Sequence, residues 1–131
     1  MEGYTFKKEE RLKSRKVINR LFKEGQSFGQ YPLRLVWIAL EEPQGTFPVR
    51  FSLSVPKKRF KKAVDRNRLR RQVREAYRLH KHKLYKALEG QQKQFAFMVL
   101  YTGKEAFTYE EIDKAMQKMI KKFLRKLPPR T

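Results

Sequence analysis

The chain contains no cysteine, which removes disulfides, thiolate nucleophiles and sulfur-rich metal sites together. Histidine is almost as scarce. His80 and His82 stand two residues apart, so on a helix they point to different sides and cannot grip one metal ion from one face; they read as surface or partly buried helix residues. The carboxylate pairs Glu9-Glu10, Glu41-Glu42 and Glu110-Glu111 fall at expected helix starts or turns, where acids are favoured by the helix field. There is no Gly-rich phosphate loop. The longest apolar run, Phe95 to Tyr101, is far too short to span a bilayer, and the opening MEGYTFKKEE lacks the apolar core of a signal peptide. The residues therefore offer no hydrolytic centre of their own, and the expectation is a soluble cytoplasmic protein.

Acidic residues are the other shortage. Thirteen of them face thirty-three Lys and Arg, giving a net charge of +20 and a pI near 10.5. A chain so charged repels itself and suits a polyanion, nucleic acid first and an anionic membrane surface second. It is not a disordered tail, because 40% of its 131 residues are apolar, including ten Phe and six Tyr. That is enough for one domain with a modest core, here 1–131, with a flexible basic arm over 1–13 and a tail over 128–131.

The positive charge is concentrated. From Lys57 to Arg74, ten of eighteen residues are Lys or Arg, against the single acid Asp65. Wound as a helix at about 100° per residue, the stretch places Leu69, Val73, Ala76 and Tyr77 on one side. Asn67, Arg70, Arg71, Arg74 and Arg78 gather on a neighbouring sector. Arg66 lies near the border, where its stem can pack and its head can pair with Asp65 or Glu75, and Arg68 points away from both sectors. One face is to be buried and another presented, and a fixed row of cations suits a phosphate backbone, where each can displace a counterion.

The same stretch resembles the signature of the bacterial ribonuclease P protein subunit. Lys57-Lys58, Ala63-Val64, Arg66-Asn67-Arg68, Arg70-Arg71, Arg74-Glu75 and Arg78 fall in that family's pattern, as does Phe6-x-Lys8-x-x-Arg11-Leu12 near the start. The entry turn departs from it, with Arg59-Phe60-Lys61-Lys62 where members often have Gly or Asn. The resemblance covers Phe6 to about Leu127. It implies an α+β fold, a two-layer α/β sandwich similar to a domain of small-subunit ribosomal proteins. Its sheet would be mostly antiparallel, of roughly four strands with three helices, with a left-handed β-α-β crossover through the basic helix. It also implies a protein that assists a catalytic RNA in cutting the 5′ leader from precursor tRNA, with Mg2+ held mainly by that RNA. Arg66, Asn67, Arg68, Arg70, Arg71 and Arg74 would then face the RNA subunit and its metal-bound region, since arginine's planar fork suits phosphate. Lys57, Lys58 and Lys62 would reach phosphates at the helix entry.

Along the chain, Ser14 predicts an N-cap for a helix carrying Val17, Ile18, Leu21 and Phe22, ended by Gly25 at C′. Tyr31–Leu40 and Val49–Val55 read as strands by alternation, joined by a turn over 41–47 that contains Pro43 and Gly45. Pro56 ends the second strand, and the basic helix runs on to Leu88 before Gly90. Phe95–Tyr101 suits a central strand covered on both faces. Thr108 and Glu111 make a capping box for a last amphipathic helix stopped by Pro128-Pro129. The order is α-β-β-α-β-α, with room for one short extra strand near Val55.

By resemblance, a cleft between the first helix and the sheet takes the single-stranded leader, where aromatic stacking tolerates any base. Phe22 and Ile18 would line it, with Arg34, Val36, Ser52 and Ser54 as its floor; plain core packing is the competing role for Phe22. The partners expected are the RNA subunit and the precursor tRNA leader, with no membrane, and a monomer when the protein is alone. A stand-alone RNA-binding protein of ribosomal type is the alternative. A cationic membrane-surface protein would need exposed apolar stripes that this chain needs for its core.

Overall fold

The computed structural model describes residues 6–40, 47–91 and 93–127. Seven main elements follow in order: α1 (Arg15–Glu24), β1 (Gln26–Gln30), β2 (Leu33–Leu40), β3 (Val49–Ser54), α2 (Ala63–Leu88), β4 (Gln94–Tyr101) and α3 (Tyr109–Lys126). The sheet order is β1-β2-β4-β3. β1 and β4 both run antiparallel to β2, while β3 runs parallel to β4, so α2 is the crossover between two parallel neighbours. The last-made strand is thus central, as its uninterrupted apolar run predicts.

Alternation on the strands divides the molecule. Leu33, Leu35 and Trp37 of β2, Val49 and Phe51 of β3 and Phe95, Phe97 and Val99 of β4 bury against α2 and α3 in the main core. On the opposite face Val36, Ala96 and Met98 meet Leu21, Val17 and Ile18 of α1. The two-layer expectation therefore describes sheet, α2 and α3, and α1 adds a partial cover on the far face.

Several boundaries move. The extra strand is not near Val55, which is buried irregular chain after β3; it is β1, joined to β2 by the two residues Tyr31 and Pro32, so β2 starts at Leu33. Ser14 caps α1, its hydroxyl accepting from the Val17 amide at 3.3 Å. Gly25 is that helix's C-cap with φ −66°, and it is required for closeness: a Cβ there would lie 2.3 Å from the Leu21 carbonyl oxygen and 2.9 Å from Val36 Cγ1. The Thr108–Glu111 capping box is formed, and Gly90, at φ +83°, ends the turn after α2. The turn expected over 41–47, up to residue 46, and the Pro128-Pro129 stop lie outside the described residues.

The stretch 1–13, expected as a flexible arm, is packed from Phe6 onward. Phe6 meets Phe51 and Tyr77 edge-on at 5.8 and 5.9 Å, Leu12 is buried, and its amide donates to the Phe51 carbonyl at 2.8 Å. Glu10, expected as a helix-start or turn acid, is fully buried. It forms an ion pair with Lys81 of α2 and accepts from the Tyr85 hydroxyl at 2.6 Å. Burial raises the pKa of Tyr85 and of Tyr77 beside it.

Candidate nucleic-acid interface

The first surface is the N-terminal half of α2. Leu69, Val73, Ala76 and Tyr77 are buried as the spacing predicts, which fixes the rotation of the helix. The helix begins at Ala63, so Lys57 to Lys62 form an entry loop outside it. Several contacts hold that loop, among them a hydrogen bond from Arg59 to the Thr102 carbonyl. Phe60 is buried edge-on against Tyr101 at 5.6 Å. Arg66 donates from Nη1 to the carbonyls of Phe60 at 2.7 Å and Lys61 at 2.9 Å. Arg66 does not pair with Asp65 or Glu75: Asp65 is 3.6 Å from Arg68, and Glu75 is taken by Arg78. The Arg78 hydrogen bond holds the Glu75 carboxyl below its ordinary range. Arg78 thus leaves the free cationic sector that its spacing suggested.

What remains presented is narrower than the whole basic run. Arg70 donates to Asn67 Oδ1 at 3.4 Å, orienting both groups, and Arg71 and Arg74 make no ion pair among the described residues. Lys57, Lys58, Lys62, Asn67, Arg68, Arg71 and Arg74 are exposed. Arg70 and Arg74 line a groove of about 350 Å³ together with Arg11, Lys13, Phe51 and Ser52. Sequence reasoning missed Arg11 and Lys13 as members of this surface, because it left 1–13 unattached. An adjoining groove of about 450 Å³ runs past Arg11, Lys13 and Ser14 to Arg50.

The second surface is the α1 side of the sheet. Strand register sets Arg34 beside Leu100 and Leu100 beside Ser54, and one row on sets Val36 beside Met98 and Met98 beside Ser52. Arg34 and Ser54 are therefore two strand spacings apart, roughly 10 Å. Arg34 also donates to the Ser27 hydroxyl at 3.1 Å, a contact supplied by the unpredicted strand β1. Ser52 and Ser54 are half-buried, Val36 is buried and Ile18 is half-buried in the α1 cluster. Phe22 is not a core residue, since 59% of its surface is exposed. The structure so brings Arg34, Val36, Ser52 and Ser54 onto one face, with Ile18 packed at its apolar end and Phe22 standing free on α1.

His80 bonds Asp113 of α3 at 2.7 Å, and His82 is exposed. Among the described residues no three His, Asp or Glu side chains converge as a metal would require, and no helix is long and apolar enough to cross a membrane.

Residues 6–124 match the family model described as Ribonuclease P. The chain is 41% identical over 113 residues to the ribonuclease P protein component of Porphyromonas gingivalis, covering 86% of this chain and 82% of that one. It is 37% identical over 86 residues to that of Vibrio cholerae, 64% of this chain and 68% of that one. Among solved structures, the RNase P protein of Thermotoga maritima superposes with a TM-score of 0.65 at 25% identity, over 86% of this chain and 96% of that one. The Staphylococcus aureus protein gives 0.67 at 22% identity, over 87% and 94%, a likeness of fold.

Proposed function

The chain belongs to the ribonuclease P protein family, and from that premise we propose how its two surfaces divide the work. It is the protein component of the ribonucleoprotein that removes the 5′ leader of precursor tRNA, working with the RNA subunit. In our reading the α2 surface holds the RNA subunit. Asn67, Arg68, Arg70, Arg71 and Arg74 contact its phosphates, Lys57, Lys58 and Lys62 extend the contact along the entry loop, and Arg66 positions that loop. The leader crosses the α1 side of the sheet, over Ser52, Ser54 and Arg34, with a base stacked on Phe22 and Ile18 and Val36 as apolar support. The observation that carries the division is the burial of the apolar side of α2, which leaves Arg71 and Arg74 exposed and, among the described residues, without an ion pair. In this scheme magnesium is held on the RNA, and the cations of α2 lower repulsion among the phosphates that hold it. The protein alone is a monomer kept apart by its +20 charge, and it works in the cytoplasm beside its RNA partners.

The test separates the surfaces. Arg70→Ala or Arg74→Ala should weaken binding to the RNA subunit and lower the slope of log affinity against log salt by roughly 0.7 to 0.9 for each phosphate no longer neutralised. Phe22→Ala should leave that binding intact and cost precursor tRNA about 1–3 kcal/mol of affinity, with no change for mature tRNA lacking a leader. Equal discrimination of leader-bearing substrate by a folded Phe22→Ala holoenzyme would remove Phe22 from the leader path. RNA binding without rescue of precursor cleavage at low magnesium would instead fit a stand-alone ribosomal-type binder.

A further inference from the structure

The segment before α1 is tied down from inside the molecule. Glu10 ends a single helical turn, Lys8–Glu10, and its side chain is fully buried. Oε2 accepts from the Lys7 amide at 2.6 Å, while Oε1 accepts from the Tyr85 hydroxyl at 2.6 Å and from the Lys81 ammonium. Lys81 and Tyr85 stand one turn apart on α2, beyond the arginines of that helix. Lys81 is itself buried, its ammonium 5.5 Å from the centre of the Phe6 ring. The other ties of the segment are the Phe6 ring, the Leu12 amide on the Phe51 carbonyl, and an Arg50 bond to the Glu9 carbonyl at 3.3 Å.

What the pair fixes is the residue that follows it. Arg11 is extended, with φ −87° and ψ 133°, and lies as a parallel bridge beside Phe51 of β3. Between the buried Glu10 carboxylate and the Leu12 amide its backbone has no slack. Arg11 and Lys13 line the same groove as Arg70 and Arg74, so four cations meet there, two from α2 and two carried in by the segment. Arg11 and Lys13 are exposed, and among the described residues neither forms an ion pair. Without Lys81, the Glu10 carboxylate would be a buried charge lacking its counter-charge. Its relief is to move out to water, and Arg11 would move with it.

We propose that Glu10 and Lys81 are positioning residues for RNA binding: their buried ion pair seats Arg11 and Lys13 beside Arg70 and Arg74, so that the groove holds the phosphate backbone of the RNA subunit on four cations instead of two. The occupant follows from continuity. Arg70 and Arg74 belong to the α2 surface, and among the described residues none of α1 or β2, over which the leader runs, lines the groove. A buried ion pair is weak evidence of added stability, since well-packed apolar side chains often hold as firmly; here it adds a fixed place for the cations next to it. The inference rests on the assignment of the α2 surface to the RNA subunit.

The experiment measures, with the full chain, how affinity for the RNA subunit depends on salt. Arg11→Gln with Lys13→Gln should lower the log–log slope by roughly 1.4 to 1.8, the share of two phosphate contacts. Lys81→Met should lower it equally, and combining all three changes should produce no further fall. Adding Glu10→Gln to Lys81→Met removes the stranded charge and should restore the wild-type slope. In the holoenzyme, Lys81→Met should leave discrimination between precursor and mature tRNA unchanged. Should Lys81→Met fail to fold by circular dichroism, Glu10→Ala in the peripheral segment replaces it, with the same expected fall. A wild-type slope in the folded variant would overturn the proposal and leave the pair a purely structural tie. A further fall on combination, or a loss confined to leader discrimination, would overturn it too. If Arg70→Ala also kept the wild-type slope, the assignment of α2 to the RNA subunit would fail with it.

Discussion

The two faces of β4 are made by alternate residues of one strand, yet they serve opposite ends. Phe95 and Phe97 point into a dense aromatic cluster where Phe123 sits 5.3 and 4.7 Å from their ring centres and 5.0 Å from Trp37. Ala96, Met98 and Leu100 point to the other side, where α1 and Leu12 before it cover them and the serines of β3 lie alongside. Covered on one side by two long helices, the sheet can leave the other partly open and polar. Burial is concentrated on the α2–α3 side, and the α1 side is covered more thinly.

The sharpest way to break this comparison is to truncate a residue on each face. Phe97→Ala should destabilise the protein by about 3–5 kcal/mol, whereas Met98→Ala should cost about 2 kcal/mol, both read from urea unfolding. Equal losses would mean that the α1 side carries as much of the fold as the core. A smaller effect sharpens the account of the open side: Gly25→Ala should cost about 1–3 kcal/mol by overpacking, because its Cβ has no room between Leu21 and Val36. It should also reduce discrimination between leader-bearing and mature tRNA by lifting α1. Unchanged stability would show that α1 is not seated by that approach.

The smallest effect is on pH dependence. Tyr77 and Tyr85 have pKa values raised by burial above the ordinary 10.0, so the folded state retains protons that the unfolded state releases. Their contribution is complete below about pH 10 and is lost as pH rises beyond it. Melting temperature should therefore fall between about pH 9 and about pH 11, and Tyr77→Phe should flatten that decline. A decline of the same steepness in the variant would assign it to other groups.

Much of the fold is legible in sequence because its signals are periodic. The buried stripe of α2, the central place of β4 and the Thr108 cap each follow from local spacing. β1 is not legible: of its five residues, QSFGQ, only Phe28 is buried, and Gln, Ser and Gly carry little strand preference. The buried pair of Glu10 and Lys81 is not legible either, because charges seldom bury unless paired and these two lie 71 positions apart. For the same reason local patterns do not reveal Arg11 and Lys13, since their place beside Arg70 depends on that long-range tie. Helical spacing offers Arg66 a carboxylate partner, whereas it binds two carbonyls in the loop before the helix. Family resemblance alone points to the cleft residues; strand register then supplies the rows that no local pattern contains.

The insertion of β4 between β2 and β3 has a consequence for how the protein emerges during synthesis. The entry loop and the arginines of α2 precede β4 in the chain, so the elements of the cationic surface leave the ribosome first. The α1-side rows of the sheet have no such head start: Arg34 and Val36 belong to one neighbour of β4, Ser52 and Ser54 to the other, and the sheet does not join them until residues 94–101 are made. Pairings that wait for a late segment are slow in forming. A nascent chain halted after Leu88 would therefore carry the basic helix while lacking the strand that sets Arg34 and Val36 in register with Ser52 and Ser54.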